Sequence, residues 1–355
     1  MLKDVLVIET ASVLAGPAVG MFFAELGARV VKIENPRSGG DVTRKWKLPA
    51  EDPYATVSAY FSSVNHGKEH RFLDLKDPAS RTEFDALISK ADVLVSNHLQ
   101  ADAEKLGLQP ERLRSLNPRL LHGHIRGYAS DAARSAYDVV LQAETGYIGM
   151  CGTDGEHLAK VPVALIDILA AHQLKEGLLL ALLQRERTGK GAYVEVSLEE
   201  AALTGLVNQA SNWLMAGHVA QPMGTLHPNI APYGEVFRCA DKGRIVLAVG
   251  SDAQFAKLCD VLALPFLTTD KRFSANTARV SHRKELSEAL APAIARMAAP
   301  ALLAQFQQAG VPAGAVNGID QALATPAANR MRLQQVIDGK ATVRISGNAF
   351  RIHNE

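Results

Sequence analysis

The first hundred or so residues alternate between two hydrophobic periods, and few architectures accommodate that alternation. Asp4–Thr10 (DVLVIET), Ala28–Glu34 (ARVVKIE) and Ala91–Asn97 (ADVLVSN) are short runs rich in β-branched and aliphatic residues, as strands buried on both faces require. Helical stretches lie between them: Ala18–Leu26, closed by Gly27, and a second at about 80–90. Arg119–Ile125 reads as a further strand. Strands alternating with helices predict an α/β fold, an open parallel sheet with helices on both faces, whose ligands sit at the carboxyl ends of the strands.

A long helical pattern follows at about 168–184 and breaks at Arg185–Gly191, which holds two glycines. Ala192–Val196 alternates like a strand, and Leu198–Ala216 reads as another helix. Pro222, Gly224, Pro228 and Pro232 mark a boundary. Beyond it, Glu235–Arg238 and Arg244–Val249 form a predicted hairpin, and three helical stretches complete a smaller α+β unit. Val311–Val316 reads as a return toward the first domain. The expected organisation is a large domain over 1–200 with a C-terminal return at about 325–355, a linker over 201–225 and a small domain over 226–324. A length of 355 residues suits two or three domains.

Composition removes several function classes. Hydrophobic residues make up 47% of the chain, too many for whole-chain disorder. With 38 Lys and Arg against 37 Asp and Glu, the net charge of +1 argues against a nucleic-acid partner. Cys151, Cys239 and Cys259 are too few and too scattered for a disulfide framework or a zinc site, and suit a reducing compartment. No run reaches the ~18 apolar residues of a membrane helix. The apolar run Val13–Ala24 lacks a positive leader, because Asp4 offsets Lys3 and Glu9 precedes the run. The expected location is the cytoplasm, with no membrane partner.

The turn after the first strand reads Ala15-Gly16-Pro17-Ala18-Val19-Gly20, not the Gly-x-Gly-x-x-Gly of a dinucleotide site. Glu34 stands where an NAD-type acid would, and otherwise reads as a solvated strand-end carboxylate. The unusual residue is Asp167. No other charge occurs between Lys160 and Lys175, and on a helix Asp167 shares a face with Ala171, Leu174 and Leu178. Burying a carboxylate there is costly without partners. Asp167 is therefore either an N-cap bonded to first-turn amides or an ionised nucleophile or base held in a pocket by those amides.

An ordered set of short motifs extends from about residue 3 to residue 320. It begins with Ala15-Gly16-Pro17, Val31-Lys32-Ile33-Glu34, Gly40-Asp41, Asn65-His66-Gly67-Lys68 and Leu73-Asp74-Leu75-Lys76. It continues through Arg126-Gly127-Tyr128, Tyr137-Asp138, Gln142-Ala143, Asp167 and Thr188-Gly189-Lys190-Gly191. His227-Pro228, Pro232-Tyr233, Asp270, Arg272-Phe273 and Val311-Pro312-Ala313-Gly314 complete it. In this set and order the chain resembles the CaiB/BaiF family, the class III CoA-transferases.

The resemblance implies a Rossmann-like large domain plus a smaller domain in an interlocked homodimer. It also implies acyl-CoA and a carboxylic acid as substrates, no metal, and Asp167 as the nucleophile of an acyl-CoA:carboxylate CoA-transferase. The carboxylate would attack the thioester, give a mixed anhydride, and then carry CoA as a thioester to the incoming acid. With a reference pKa of ~3.9 it would be ionised at neutral pH without a helper base. The positions implied for CoA binding are Val13, Ala15, Leu73, Lys76, Asn97, His98, Lys105, Leu106, Arg126 and Tyr128, with Arg37 as a near neighbour of a family arginine. His122 and His124 read as core or lining residues.

Some positions depart from the family. Ile166 stands where glycine is common, and Leu14 where the formyl-CoA:oxalate branch has glutamine. Met223–His227 lacks that branch's run of glycines, which makes formyl-CoA and oxalate poor expectations. After Arg351-Ile352-His353 the sequence lacks the family's closing Leu-Gly and His-Thr segment, which leaves docking of the C-terminal return open. The alternatives are an α-methylacyl-CoA racemase-like enzyme, whose branch carries His-Asp where this chain has Tyr137-Asp138, and a non-catalytic CoA-binding relative.

Overall fold

The computed structural model describes residues 1–353. The chain divides into two compact units. The first comprises residues 1–148, 160–220 and the segment from 330 onward; the second comprises 149–159 and 221–329.

The first unit is built on six parallel strands. They are β1 (Leu6–Glu9), β2 (Arg29–Glu34), β3 (Lys68–Phe72), β4 (Val93–Ser96), β5 (Leu121–Arg126) and β6 (Ala192–Ser197). Their order is β3-β2-β1-β4-β5-β6, the doubly wound order, which opens a crevice where β1 and β4 lead off in opposite directions. Alternate residues face opposite layers of helix. Ile8, Val31, Ile33 and Leu94 pack with Phe84 and Ile88 of helix Pro78–Ile88 and Leu113 of helix Pro110–Leu116. The first helix, Ala15–Glu25, packs on the other side, where a Cβ on Gly16 would lie 3.8 Å from Val95.

That helix explains its own glycines. A Cβ on Gly16 would stand 2.3 Å from the Ala11 methyl, and one on Gly20 would stand 1.8 Å from the Glu9 carboxylate. Both glycines let the helix lie against the end of β1, a packing role rather than a phosphate-binding one.

The strand β3 has no counterpart in the sequence reading. Its residues, KEHRF, are mostly charged, because it is an edge strand. The long helix runs over Leu165–Thr188 and stops at Gly189, whose φ of +70° suits glycine. Its buried side carries Ala171, Leu174 and Leu178, the residues expected to share a face with Asp167. The stretch read as a linker over 201–225 contains most of helix Leu198–Gly205 and the whole of helix Asn208–Ala216.

The second unit carries a three-stranded antiparallel sheet, β7 (Tyr233–Arg238), β8 (Arg244–Ala248) and β9 (Ala313–Ala315). The first two strands are the expected hairpin. Val311–Val316 does not return to the first unit: Ala313–Ala315 pairs with β8 as the third strand of this sheet. The return comes later, as the hairpin β10 (Arg332–Ile337) and β11 (Lys340–Ile345). It docks within the first unit. Arg44 donates to Asp338 at 2.7 Å, the Gly67 amide donates to Gln335 at 2.6 Å, and Arg344 pairs with Glu25. No single helix among the described residues is long and apolar enough to cross a membrane.

Candidate active site

Two cavities open at the carboxyl ends of the parallel strands and share Ser12 and His98 in their walls. Between them the crevice is pinned by a reciprocal pair: the Ser12 amide donates to Asn97 Oδ1 at 3.0 Å, and Asn97 Nδ2 donates to the Ser12 carbonyl at 2.9 Å.

The first cavity, about 540 Å³, contains Asp167 in its wall. Asp167 stands in the first turn of the long helix and is 9% exposed. It is not the cap. The N-cap position is Ala164, and the carboxylate that holds this helix end belongs to Asp138, which accepts from the Ile166 amide at 2.7 Å. Gln142 Nε2 donates to the other Asp138 oxygen at 2.6 Å. Among the described residues no hydrogen bond reaches the Asp167 carboxylate.

The consequence is electrostatic. An Asp in a first turn is ordinarily stabilised as the anion by the helix end. Here burial, and then the Asp138 charge, push the Asp167 carboxyl up to about 7. The expectation of a fully ionised carboxylate at neutral pH is corrected: near pH 7 the group is divided between acid and anion. A poorly solvated carboxylate on a cavity wall, with no hydrogen-bond partner among the described residues, has the chemistry to serve as a nucleophile or a base.

Val13, Ala15, Asn97, His98 and Arg126 line this same cavity. Val13 has φ of +72°, a strained value for a β-branched residue. Its amide is held by Asp41 Oδ2 at 3.2 Å. Arg126 donates to the Ala129 carbonyl at 2.5 Å and pairs with Glu195 at 3.2 Å.

The second cavity, about 590 Å³, is lined by Leu73, Lys76, Lys105 and Leu106, with Ile33 and Leu75 adding apolar wall. Lys76 and Lys105 are exposed at its edge, and Lys105 pairs with Asp102 at 3.2 Å. Lys45, which the sequence did not single out, joins them. An apolar slot rimmed by ammonium groups suits a flat base carrying phosphates.

Two implied positions stand elsewhere. Arg37 is 75% exposed and tied to Asp74 at 2.5 Å; it lines neither cavity. Tyr128 is buried, donates to Glu144 at 2.8 Å and lies under the Arg134 guanidinium at 3.9 Å, so it packs the loop rather than the cavity.

Behind both cavities lies a buried ion network that sequence reasoning did not assign. Glu9 accepts from Lys32 at 2.9 Å and from Lys68 at 2.8 and 2.9 Å, all three fully buried or nearly so. Lys32 also donates to the Ala11 carbonyl at 2.7 Å and pairs with Asp41 at 3.1 Å. Burial works against the Lys32 ammonium, but Glu9 and Asp41 hold it above its ordinary range. For Lys68 burial outweighs the attraction of Glu9, and the group falls to about 8. Glu34 is not the solvated carboxylate of the simpler sequence reading. It is buried, accepts from Arg44 Nε at 2.7 Å and lies 2.8 Å from His70 Nδ1.

The chain resembles known proteins over nearly its whole length. The family described as CoA-transferase family III matches residues 2–355. The chain is 35% identical to the succinate–glutarate CoA-transferase of Agrobacterium fabrum, covering 92% of this chain and 82% of that one. It is 36% identical to the acetyl-CoA:oxalate CoA-transferase of Acetobacter aceti, covering 98% and 88%. Its fold is similar to the crystal structure of a CaiB/BaiF family protein from Brucella suis, with a TM-score of 0.86, 32% identity and coverage of 98% and 91%.

Proposed function

The chain belongs to CoA-transferase family III and is a CoA-transferase, and from that premise we propose that it moves CoA between organic acids through a thioester formed on Asp167. The observation that carries this reading is a carboxylate without a hydrogen-bond partner among the described residues, set in the wall of a cavity at the strand ends. The names of the relatives favour the transferase over the racemase-like and non-catalytic alternatives.

The chemistry balances without metal or redox steps. An Asp167 oxygen bonds to the donor's acyl carbon, the C–S bond breaks, and CoA leaves as thiolate. The thiolate then bonds to the Asp167 carboxyl carbon, and the donor acid leaves as its carboxylate. The acceptor carboxylate attacks the aspartyl thioester and again frees the thiolate. Finally the thiolate takes the acceptor's acyl group and restores the Asp167 carboxylate. One negative charge persists through every step, so no proton need be delivered. The experiment that tests this reading is intact-mass analysis after incubation with acyl-CoA and hydroxylamine, which should mark Asp167.

In the same proposal the CoA phosphates and adenine lie in the second cavity, with Leu73 and Leu106 on the base and Lys76 and Lys105 on phosphates. Val13, Ala15, Asn97, His98 and Arg126 line the way to Asp167. Replacing Lys76 and Lys105 together by alanine should raise KM for acyl-CoA roughly 10–100-fold while kcat changes little. The effect should shrink at high salt, because both ammonium groups are exposed. A fall in kcat with unchanged KM would remove CoA from this cavity.

The proposal includes a homodimer in the cytoplasm. Leu180 and Leu183 of the long helix and Leu214 and Met215 of helix Asn208–Ala216 are more than half exposed, more apolar surface than a solvated helix face normally carries. Sedimentation equilibrium should return twice the 38.1 kDa chain mass. A single-chain mass at micromolar concentration would reject the dimer.

A further inference from the structure

One wall of the Asp167 cavity carries an arrangement that no step of the transfer uses. Strand β5 places His122, His124 and Arg126 on one face, and β6 sets Tyr193 and Glu195 in register with the two histidines. Ser96 of β4 stands opposite His124. Its hydroxyl bridges the rings, 2.8 Å from His122 Nε2 and 2.9 Å from His124 Nδ1. The Tyr193 ring lies 5.0 Å from His122 and stacks on His124 at 6.3 Å, and its hydroxyl donates to Glu195 at 2.9 Å.

Interior strands of a parallel sheet are normally aliphatic on both faces, and a polar face in that position is destabilising unless every group is bonded. His122 is 5% exposed, and its Nδ1 has no partner among the described residues. Ser96 and His122 are buried and His124 is half-buried on this face, whereas Tyr193 and Glu195, on edge strand β6, are exposed, so the wall runs from a sheltered polar patch to a charged rim at the cavity.

The charge of the cavity restricts what that is. Its acids are Glu104, Glu111, Asp138, Asp167 and Glu195, and its lone Lys or Arg among the described residues is Arg126, already engaged by Glu195. The histidines add no positive charge, since burial holds His122 down to about 3 and His124 to about 4. A second carboxylate brought in by the substrate would meet like charges, Glu195 and Glu111 at the exposed rim and Asp138 and Asp167 deeper in the wall. A hydroxyl or carbonyl would meet neutral imidazoles that both donate and accept, and an aromatic ring would meet the flat faces of His124 and Tyr193.

We propose that this chamber selects carboxylic acids whose far end is uncharged, carrying a hydroxyl, a carbonyl or an aromatic ring, and disfavours dicarboxylates of the same length. The proposal rests on the CoA-transfer reading. It makes Glu195 a specificity-determining residue, because Glu195 both occupies Arg126 and adds negative charge to the wall.

The test uses the full chain with butyryl-CoA as donor and two chain-matched acceptors, 5-hydroxypentanoate and glutarate, with new thioesters measured by mass. The hydroxy acid should show kcat/KM about tenfold or more above glutarate. Glu195→Gln keeps a partner for the Tyr193 hydroxyl but frees Arg126, and should raise kcat/KM for glutarate about fivefold or more while moving the hydroxy acid less. Glu111→Gln, at an exposed wall position, should shift the ratio in the same direction and serves if the first variant folds poorly. A wild-type preference for glutarate, or a ratio unmoved by both variants, overturns the proposal and leaves CoA transfer intact. No thioester with either acid or with other donors overturns the transferase reading, and this proposal with it.

Discussion

Asp167→Asn and Asp167→Ala should lower transfer by at least about 10³-fold, because each removes the only oxygen nucleophile the mechanism uses. Neither variant should accumulate an enzyme–CoA adduct in an intact-mass spectrum. The fold should survive, since the carboxylate makes no hydrogen bond among the described residues and is held by none. The position of its titration makes a second outcome distinctive. With the carboxyl at about 7, kcat/KM should climb roughly tenfold per pH unit below neutrality and level off above about pH 8. An Asp with an ordinary pKa would give a flat profile across that range. Asp138→Asn should move the rise to lower pH, because it deletes the neighbouring charge while its oxygen can still accept from the Ile166 amide.

Stability should answer in the opposite sense. The folded protein holds the Asp167 proton more tightly than the unfolded chain does, so the native state loses stability as pH rises from about 4 to about 7. Asp167→Asn removes that penalty. The variant should match the wild type in unfolding free energy near pH 4 and exceed it at pH 8, by up to about 4 kcal/mol. An inactive variant that is more stable only at the higher pH separates loss of a nucleophile from loss of structure. Retained activity in either variant, or an advantage independent of pH, would contradict the proposed role.

The sheet was legible because its inner strands are buried on both faces and read as aliphatic runs. β1, β2 and β4 follow directly from VLVIE, RVVKIE and DVLVS. Edge strand β3 was not, since one side of an edge strand carries charge whatever its pairing. The long helix was legible as a helix, but its cap was not. Asp167 sits near the helix start and looks like the capping residue, whereas Asp138, 28 residues before the Ile166 amide it accepts from, reaches across to do it. Nothing local records that exchange. Lys32 and Lys68 were visible as motif residues and Glu9 only as a charge ahead of an apolar run, but their burial together follows from three different strands meeting at one point. The cavity wall at His122 and His124 is likewise a property of register between β5 and β6. Each was visible only as a lone residue in the sequence.

That buried network should be the least tolerant part of the molecule outside Asp167. Glu9 serves two ammonium groups, and all three side chains are buried. Glu9→Gln leaves Lys32 and Lys68 close together with less counter-charge, and removing one partner of a buried ion group typically costs about 3–5 kcal/mol. In a unit of this size that corresponds to a fall of roughly 10 °C in Tm. The damage should reach the substrate. Lys32 pairs with Asp41, and Asp41 holds the Val13 amide in its left-handed conformation. If Lys32 shifts, Val13 is released to a negative φ and the loop at the mouth of the cavity relaxes. Glu9→Gln should therefore raise KM for acyl-CoA beyond what the loss of folded protein explains, measured at a temperature where the variant is fully native. Lys68→Met should destabilise as well, and the double variant should fall short of the summed effects by about 1–3 kcal/mol, because both substitutions break the same contact. A Glu9→Gln protein that melts within 2 °C of the wild type would mean, by the same scaling, that the network carries less than about 1 kcal/mol and does not hold the loop.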